Sequence, residues 1–171
     1  MRWLIDGYNV IRRDPELAAR EAESLEAGRR ALLHLLARAR GARDEFTVVF
    51  DGARVSGGVL SAGRIRVIFS RPPMTADDEL IRRAREAKSG AAVVSSDRKV
   101  QDAARRVGCA VLGADQFLDA LDGAEPGRPT DPAPPDRDSG YDTASSKRGN
   151  PRRASKKARR AQRALRRLRE P

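Results

Sequence analysis

The sequence predicts an α/β fold, a three-layer domain around a central, mainly parallel sheet, and three observations carry that reading. Short apolar runs alternate with amphipathic helical patterns through about residue 122, and strands separated by helices imply right-handed crossovers and a parallel sheet. Three of the runs lead into an aspartate: Trp3-Leu4-Ile5 before Asp6, Thr47-Val48-Val49-Phe50 before Asp51, and Ala92-Val93-Val94-Ser95-Ser96 before Asp97. Between the runs stand Gly41, Pro72-Pro73, Gly90 and Gly108, residues that stop helices and strands.

The first strand is read at about Arg2 to Ile5. The stripe Leu25, Gly28, Leu32, Leu35, Leu36 and Ala39 marks a helix and puts His34 on the opposite, solvated side at ~100° per residue. Phe46–Phe50 is the second strand. Ser56-Gly57-Gly58 and Ser61-Ala62-Gly63 read as a flexible loop before a third strand, Ile65–Phe69. Thr75 opens a helix to about Ser89, Ala92–Ser95 is strand four, and Lys99–Val107 is a helix closed by Gly108. Ala110–Leu112 and a helix over Asp115–Leu121 complete a domain at 1–122. Residues 123–150, rich in Pro, Gly, Asp, Ser and Thr, read as a disordered linker. Residues 151–171 read as a basic, Arg-rich tail, helical when bound, with Ala154, Ala158, Ala161, Leu165 and Leu168 on one narrow stripe.

Charge divides the chain in the same place. Residues 1–146 carry 23 Lys and Arg against 23 Asp and Glu, whereas residues 147–171 carry 12 basic residues and one acid, Glu170. All of the formal +11 therefore belongs to the tail, an asymmetry that points to nucleic acid or an anionic surface. The single cysteine, Cys109, excludes an internal disulfide, and in Cys109-Ala110-Val111-Leu112 it reads as a buried small hydrophobe. No CxxC or Cys/His cluster suggests zinc, and His34 is the only histidine. No run reaches the ~18 apolar residues of a membrane span and no targeting segment precedes the first strand, so a cytoplasmic protein without a membrane partner is expected.

Acids at the carboxyl ends of parallel strands share one crevice. Two carboxylates ~4 Å apart repel by roughly 4 kcal/mol at an effective dielectric near 20, so a cluster demands a cation or a proton, and Mg²⁺ or Mn²⁺ suits oxygen ligands. In Thr75-Ala76-Asp77-Asp78, Asp77 lies on the side of Leu80, Ile81 and Ala84, which must pack on the sheet. Asp78 is three residues after Thr75, as in a capping box, so Asp77 is the better ligand. Asp6 is followed by Gly7, which permits a tight turn, and Asn9 stands three residues on. Asp51 is as well suited to a turn or to supporting a ligand as to touching a metal. Asp97 doubles as a helix cap, and Asp102 reads as solvated.

The ordered set Ile5-Asp6-Gly7-Tyr8-Asn9-Val10-Ile11, Val48-Val49-Phe50-Asp51, Val67-Ile68-Phe69 with Thr75-Ala76-Asp77-Asp78, and Ser95-Ser96-Asp97 resembles the YacP-like branch of the NYN domains, relatives of PIN-type nucleases. The resemblance spans residues 1 to about 122 and leaves the tail outside. It implies a PIN-like fold and a metal-dependent endoribonuclease, with ribosome-bound messenger RNA as the substrate in one branch member. Carried over by motif, Asp6, Asp77 and Asp97 form the acidic site with Asn9 beside them, and Asp51 and Asp78 are secondary metal candidates. Such a site would hold Mg²⁺ or Mn²⁺, activate a water, and leave 5′-phosphate and 3′-hydroxyl ends. Rival chemistries lack their marks: position 8 is Tyr where a haloacid-dehalogenase-type phosphatase needs Asp, and neither GxGxxG nor a P-loop occurs.

The tail residues Arg152, Arg153, Lys156, Lys157, Arg159, Arg160, Arg163, Arg166 and Arg167 are the expected RNA contacts, made to phosphates because the tail has no aromatic residue. Its removal is expected to weaken RNA binding without unfolding the domain. The alternative from another class is a non-catalytic RNA- or ribosome-binding protein with a degenerate acidic site.

Overall fold

A computed structural model describes residues 1–39, 43–52, 60–122 and 156–169. Its elements run β1 (Arg2–Asp6), α1 (Gly7–Ile11), α2 (Pro15–Glu23), α3 (Leu25–Ala37), β2 (Glu45–Phe50), β3 (Leu60–Ala62), β4 (Ile65–Phe69), α4 (Ala76–Ala87), a 3₁₀ turn (Lys88–Gly90), β5 (Ala91–Val94), α5 (Arg98–Arg106), β6 (Ala110–Leu112), α6 (Ala114–Leu121) and α7 (Lys156–Arg169). The sheet order is β3-β4-β2-β1-β5-β6, parallel throughout except that β3 pairs antiparallel with β4.

Alternation along each strand divides the apolar residues between two faces. Trp3, Ile5, Phe46, Val48 and Phe50 face one layer, closed by α1, α3 and α6 through Val10, Leu32, Leu36 and Phe117. Leu4, Val49 and Val93 face the other, closed by α4 and α5 through Leu80, Ala84, Val100 and Ala104. Three layers and a parallel core are what the sequence implies. The chain reaches β2 on one side of β1 and later places β5 on the other, so the topological switch lies at β1 and β5, where such sheets bind ligands.

Helix starts are set by caps. The Asp14 side chain accepts from Leu17 N–H with Pro15 at the first turn, and Ser24 does the same for α3 through Ala27 N–H. With Asp6 capping α1, these caps delimit α1 and α2, two helices that the sequence analysis passed over between strand one and the Leu25 stripe. Leu25 itself is 52% exposed, whereas Gly28, Leu32 and Leu36 are buried. Gly28 allows α2 to approach closely, because a Cβ there would stand 2.9 Å from Glu21 Cα.

Two expectations are corrected. Ser61 and Ala62 belong to the edge strand β3, paired with Arg66 and Ile65, rather than to a loop; Ser56-Gly57-Gly58 and Gly41 lie outside the described residues. The tail is not an appendage over 156–169. Helix α7 packs along β6 and α6, with Ala164 at 0% and Leu168 at 2% exposure inside the core and Ala161 and Leu165 against it. The narrow Ala/Leu stripe is therefore a packing face, and Arg160 Nη1 donates to Gly108 O at 2.9 Å. The proposed linker at 123–150 lies outside the described residues, as do Arg152 and Arg153.

This docking reverses the expectation for the tail. Leu168→Ala should destabilise the chain by about 2–4 kcal/mol, as buried Leu→Ala changes do, and removal of the whole helix should cost more. Urea unfolding followed by circular dichroism checks it; a midpoint equal to that of the full chain would show that α7 is only peripheral.

Candidate active site

The β1–α1 turn is built from residues that sit next to one another in sequence. Asp6 ends β1 and caps α1: its Oδ1 accepts Asn9 N–H at 3.2 Å. Gly7 follows because the Phe50 ring occupies the space a side chain would need, with Cε1 2.2 Å from an added Cβ. That contact brings the end of β2, and so Asp51, beside the end of β1.

Strand β5 is tied to the same turn by Asn9 and by Ser95, of which the sequence analysis singled out only the first. Ser95, fully buried, donates from Oγ to Asp6 Oδ2 at 3.2 Å and accepts Asp97 N–H at 3.1 Å. Gln101 Nε2 donates to Ser95 O at 2.7 Å. Asn9 Oδ1 accepts Ser96 N–H at 3.0 Å, so its carbonyl oxygen joins the two turns. A polar residue directly after the fully apolar β5 was the available signal for Ser95, since buried hydroxyls need partners.

Asp6, Asn9, Asp51, Asp77 and Asp78 line one open cleft of about 670 Å³ together with Tyr8, Arg12, Arg13, Thr75, Ala76 and Lys99. Asp97 caps α5 by accepting Val100 N–H at 3.0 Å and lies beside the cleft, close enough to repel Asp6 and Asp77. Asp51 Oδ1 accepts the hydroxyl of buried Ser70 at 2.7 Å. Asp78 makes the reciprocal capping box with Thr75 that its spacing suggests, and Lys99 Nζ stands 3.5 Å from its Oδ1. Asp102 pairs with Arg105 on an exposed face, and His34 is exposed.

Electrostatics favour a cation here. Burial pushes the Asp6 carboxyl above its ordinary 3.8, against the opposing bonds from Asn9 N–H and the Ser95 hydroxyl, and Asp77 and Asp97 add repulsion. Asp77 is raised by burial first and then by Asp97, with Lys99 opposing and Asp78 and Asp51 adding to it. Asp78 is lowered by its Thr75 bonds. The donor set is all oxygen, as a hard divalent ion requires. Among the described residues, however, no three acids converge closely enough to hold one ion, so the carboxylates form a loose cleft and not a closed cage. Elsewhere, burial pushes the Cys109 thiol up to about 11, as befits a core residue.

The nine tail residues divide. Lys156, Arg159, Arg163, Arg166 and Arg167 are exposed along α7, whereas Arg160 is half-buried and bonded to Gly108. The Lys157 side chain, Arg152 and Arg153 lie outside the described residues.

An α/β sheet with acids gathered at its topological switch is the arrangement that the resemblance to NYN and PIN-type domains implies. The sequence profile of the YacP-like NYN domain matches residues 3–167, and the chain belongs to that family. The match includes α7, which the shorter resemblance over residues 1–122 left outside. Crystal structures of Rae1 (YacP) from Bacillus subtilis are similar: one is 29% identical, with a TM-score of 0.61 over 72% of this chain and 74% of that one. A point mutant of the same protein is 27% identical, with a TM-score of 0.59 over 72% and 75%. No curated protein matches the chain. The domain is thus nuclease-like and RNA-related, and among the described residues no helix is long and apolar enough to cross a membrane.

Asp77 gives a test of the cost of charge at this site. Its raised pKa means that the folded chain keeps a proton that the unfolded chain releases, so stability falls as pH rises above 3.8 through the folded value. Asp77→Asn should therefore be more stable than the parent at neutral pH, with the difference closing below pH 3.8. Urea titrations at neutral and acid pH measure it; an equal or lower midpoint for the variant at neutral pH would refute the raised pKa.

Proposed function

We propose that this chain is a divalent-metal-dependent endoribonuclease that cuts RNA phosphodiester bonds, with messenger RNA on the ribosome as its substrate and the cytoplasm as its site of action. The observation that supports this most is the gathering of Asp6 and Asp77 in one cleft with Asp97 beside it, at the rim of a nuclease-like domain.

In this reading Asp6, Asp77 and Asp97 would have to draw together to hold the metal, and Asp51 and Asp78 stand at the edge of the site. Bound Mg²⁺ or Mn²⁺ would supply the Lewis acidity that lowers the pKa of a water and neutralises charge on the scissile phosphate. The chain's own groups do the placing. Ser95 keeps Asp6 turned toward the cleft through its 3.2 Å bond, and Asn9 closes the β5–α5 turn onto α1 through Ser96 N–H. Lys99, beside Asp78, adds positive charge at the lip. The exposed cations of α7, Lys156, Arg159, Arg163, Arg166 and Arg167, are proposed to grip RNA phosphates, with Arg160 spent mainly on the fold.

One observation favours the second reading, a non-catalytic RNA-binding protein: no three described acids converge on a point. The two readings part on two measurements. Mn²⁺ or Mg²⁺ at ~100 times its dissociation constant should stabilise the protein by about 2.7 kcal/mol and do so far less in Asp6→Asn. With translating ribosomes or free RNA, the parent should yield metal-dependent 5′-phosphate ends that Asp6→Asn and Asp97→Asn fail to produce while still binding RNA. No cuts from the parent, with RNA still bound, would leave the binding module.

A further inference from the structure

The cleft poses a problem for its proposed substrate. Asp6, Asp51, Asp77 and Asp78 line it, and an RNA strand brings one negative charge per nucleotide. Cations must therefore meet the strand at the rim, and among the described residues the cleft is lined by three: Arg12, Arg13 and Lys99. Lys99 already leans on Asp78.

Arg12 is differently placed. Its guanidinium carbon lies 5.5 Å from the centre of the Tyr8 ring, within the range of a cation–π contact. Its Nε stands 3.6 Å from Glu21 Oε2, while the side chain remains 68% exposed against 15% for Glu21. Glu21 gains little else from its position, because its Oε1 is buried without a hydrogen-bond partner among the described residues. A half-satisfied carboxylate costs stability, and here its neighbour is the rim arginine. Tyr8 is fixed in turn: its hydroxyl accepts from Arg29 Nε at 2.9 Å and from Arg29 Nη2, and its ring meets Phe50 edge-on at 5.0 Å. The guanidinium thus lies near both the ring and the carboxylate before any ligand arrives, and its side chain remains largely exposed. Such a fork matches a phosphate with two parallel hydrogen bonds.

We propose that Arg12, seated between the Tyr8 ring and Glu21 at the mouth of the acidic cleft, is the phosphate anchor for a single strand of RNA entering the site. The inference rests on the nuclease reading for its substrate and adds the residue that positions it. The cleft's size is compatible with one strand: about 670 Å³ is the scale of a small-molecule site of ~300–1,000 Å³, room for a nucleotide-sized segment.

The test is anisotropy of a fluorescein-labelled single-stranded RNA on the full chain, in EDTA across a salt series. Arg12→Ala should weaken binding about tenfold, as loss of a charge-assisted pair does. It should also flatten the log–log salt slope by about 0.7, the value for one phosphate on a single strand. Arg12→Lys should keep the slope and recover only part of the affinity, because the charge returns without the fork. Arg30→Ala, which loses an exposed arginine paired with Glu26 on α3, should match the parent. An unchanged slope in Arg12→Ala, parental affinity in Arg12→Lys, or equal losses in Arg30→Ala would overturn the anchor. Duplex RNA bound as tightly as the single strand would overturn the choice of ligand. A parent that never cleaves, while Arg12→Ala still loses binding, removes the nuclease and leaves the anchor; cleavage with Arg12 indifferent does the reverse.

Discussion

The Asp6 carboxyl group is the point on which the site is built, because its two oxygens face two different strands' turns. Oδ1 takes Asn9 N–H within its own turn, and Oδ2 takes the Ser95 hydroxyl from the end of β5. Ser95 then fixes Asp97 through its backbone N–H, so one buried hydroxyl spaces two of the acids. On the other side, Phe50 fills the space beside Gly7 and carries Asp51 at the end of β2. Three strand ends are held in register by a hydroxyl, an amide and a missing Cβ. Each is short, so ordering it costs little side-chain entropy.

The same economy appears at the other edge of the sheet. Strand β6 is outermost there, and an open edge offers unpaired backbone groups that proteins cover or charge. Helix α7 does both: Ala164 and Leu168 enter the core, and Lys156, Arg159, Arg163, Arg166 and Arg167 are exposed along it. A helix this basic would repel itself in isolation, and like charges at helical spacing are unfavourable. Its stability comes from the tertiary contact of a narrow apolar stripe, as for most helices.

Much of the parallel sheet was legible because each strand is a short apolar run ended by a residue with a reason to stop it. The acid placements were legible for the same reason, as was Asp78's capping box with Thr75. What the sequence hid depends on distance along the chain. Helix α1 is a single five-residue turn and α2 buries only Leu17, so neither shows an apolar stripe. The stripe in α7 holds only two leucines, and periodicity alone cannot tell a docking face from a spare one. Ser95 and Glu21 matter through partners on other elements, and Gly28 through a helix crossing. No spacing rule reaches these.

Electrostatic range decides how the cationic features divide the work. Charges separated by more than ~8 Å are largely screened at physiological salt, so only a cation close to the cleft can steer a phosphate into it. That step needs a cation within a few ångströms of the path, held firmly enough not to collapse onto the acids it stands beside. Lys99 shows the collapse, with its ammonium beside Asp78. Arg12 is kept from it by a ring on one side and Glu21 on another. An acidic site that must admit a polyanion requires this kind of spacing: positive groups near enough to pull, and fixed well enough not to neutralise the carboxylates that a metal would need.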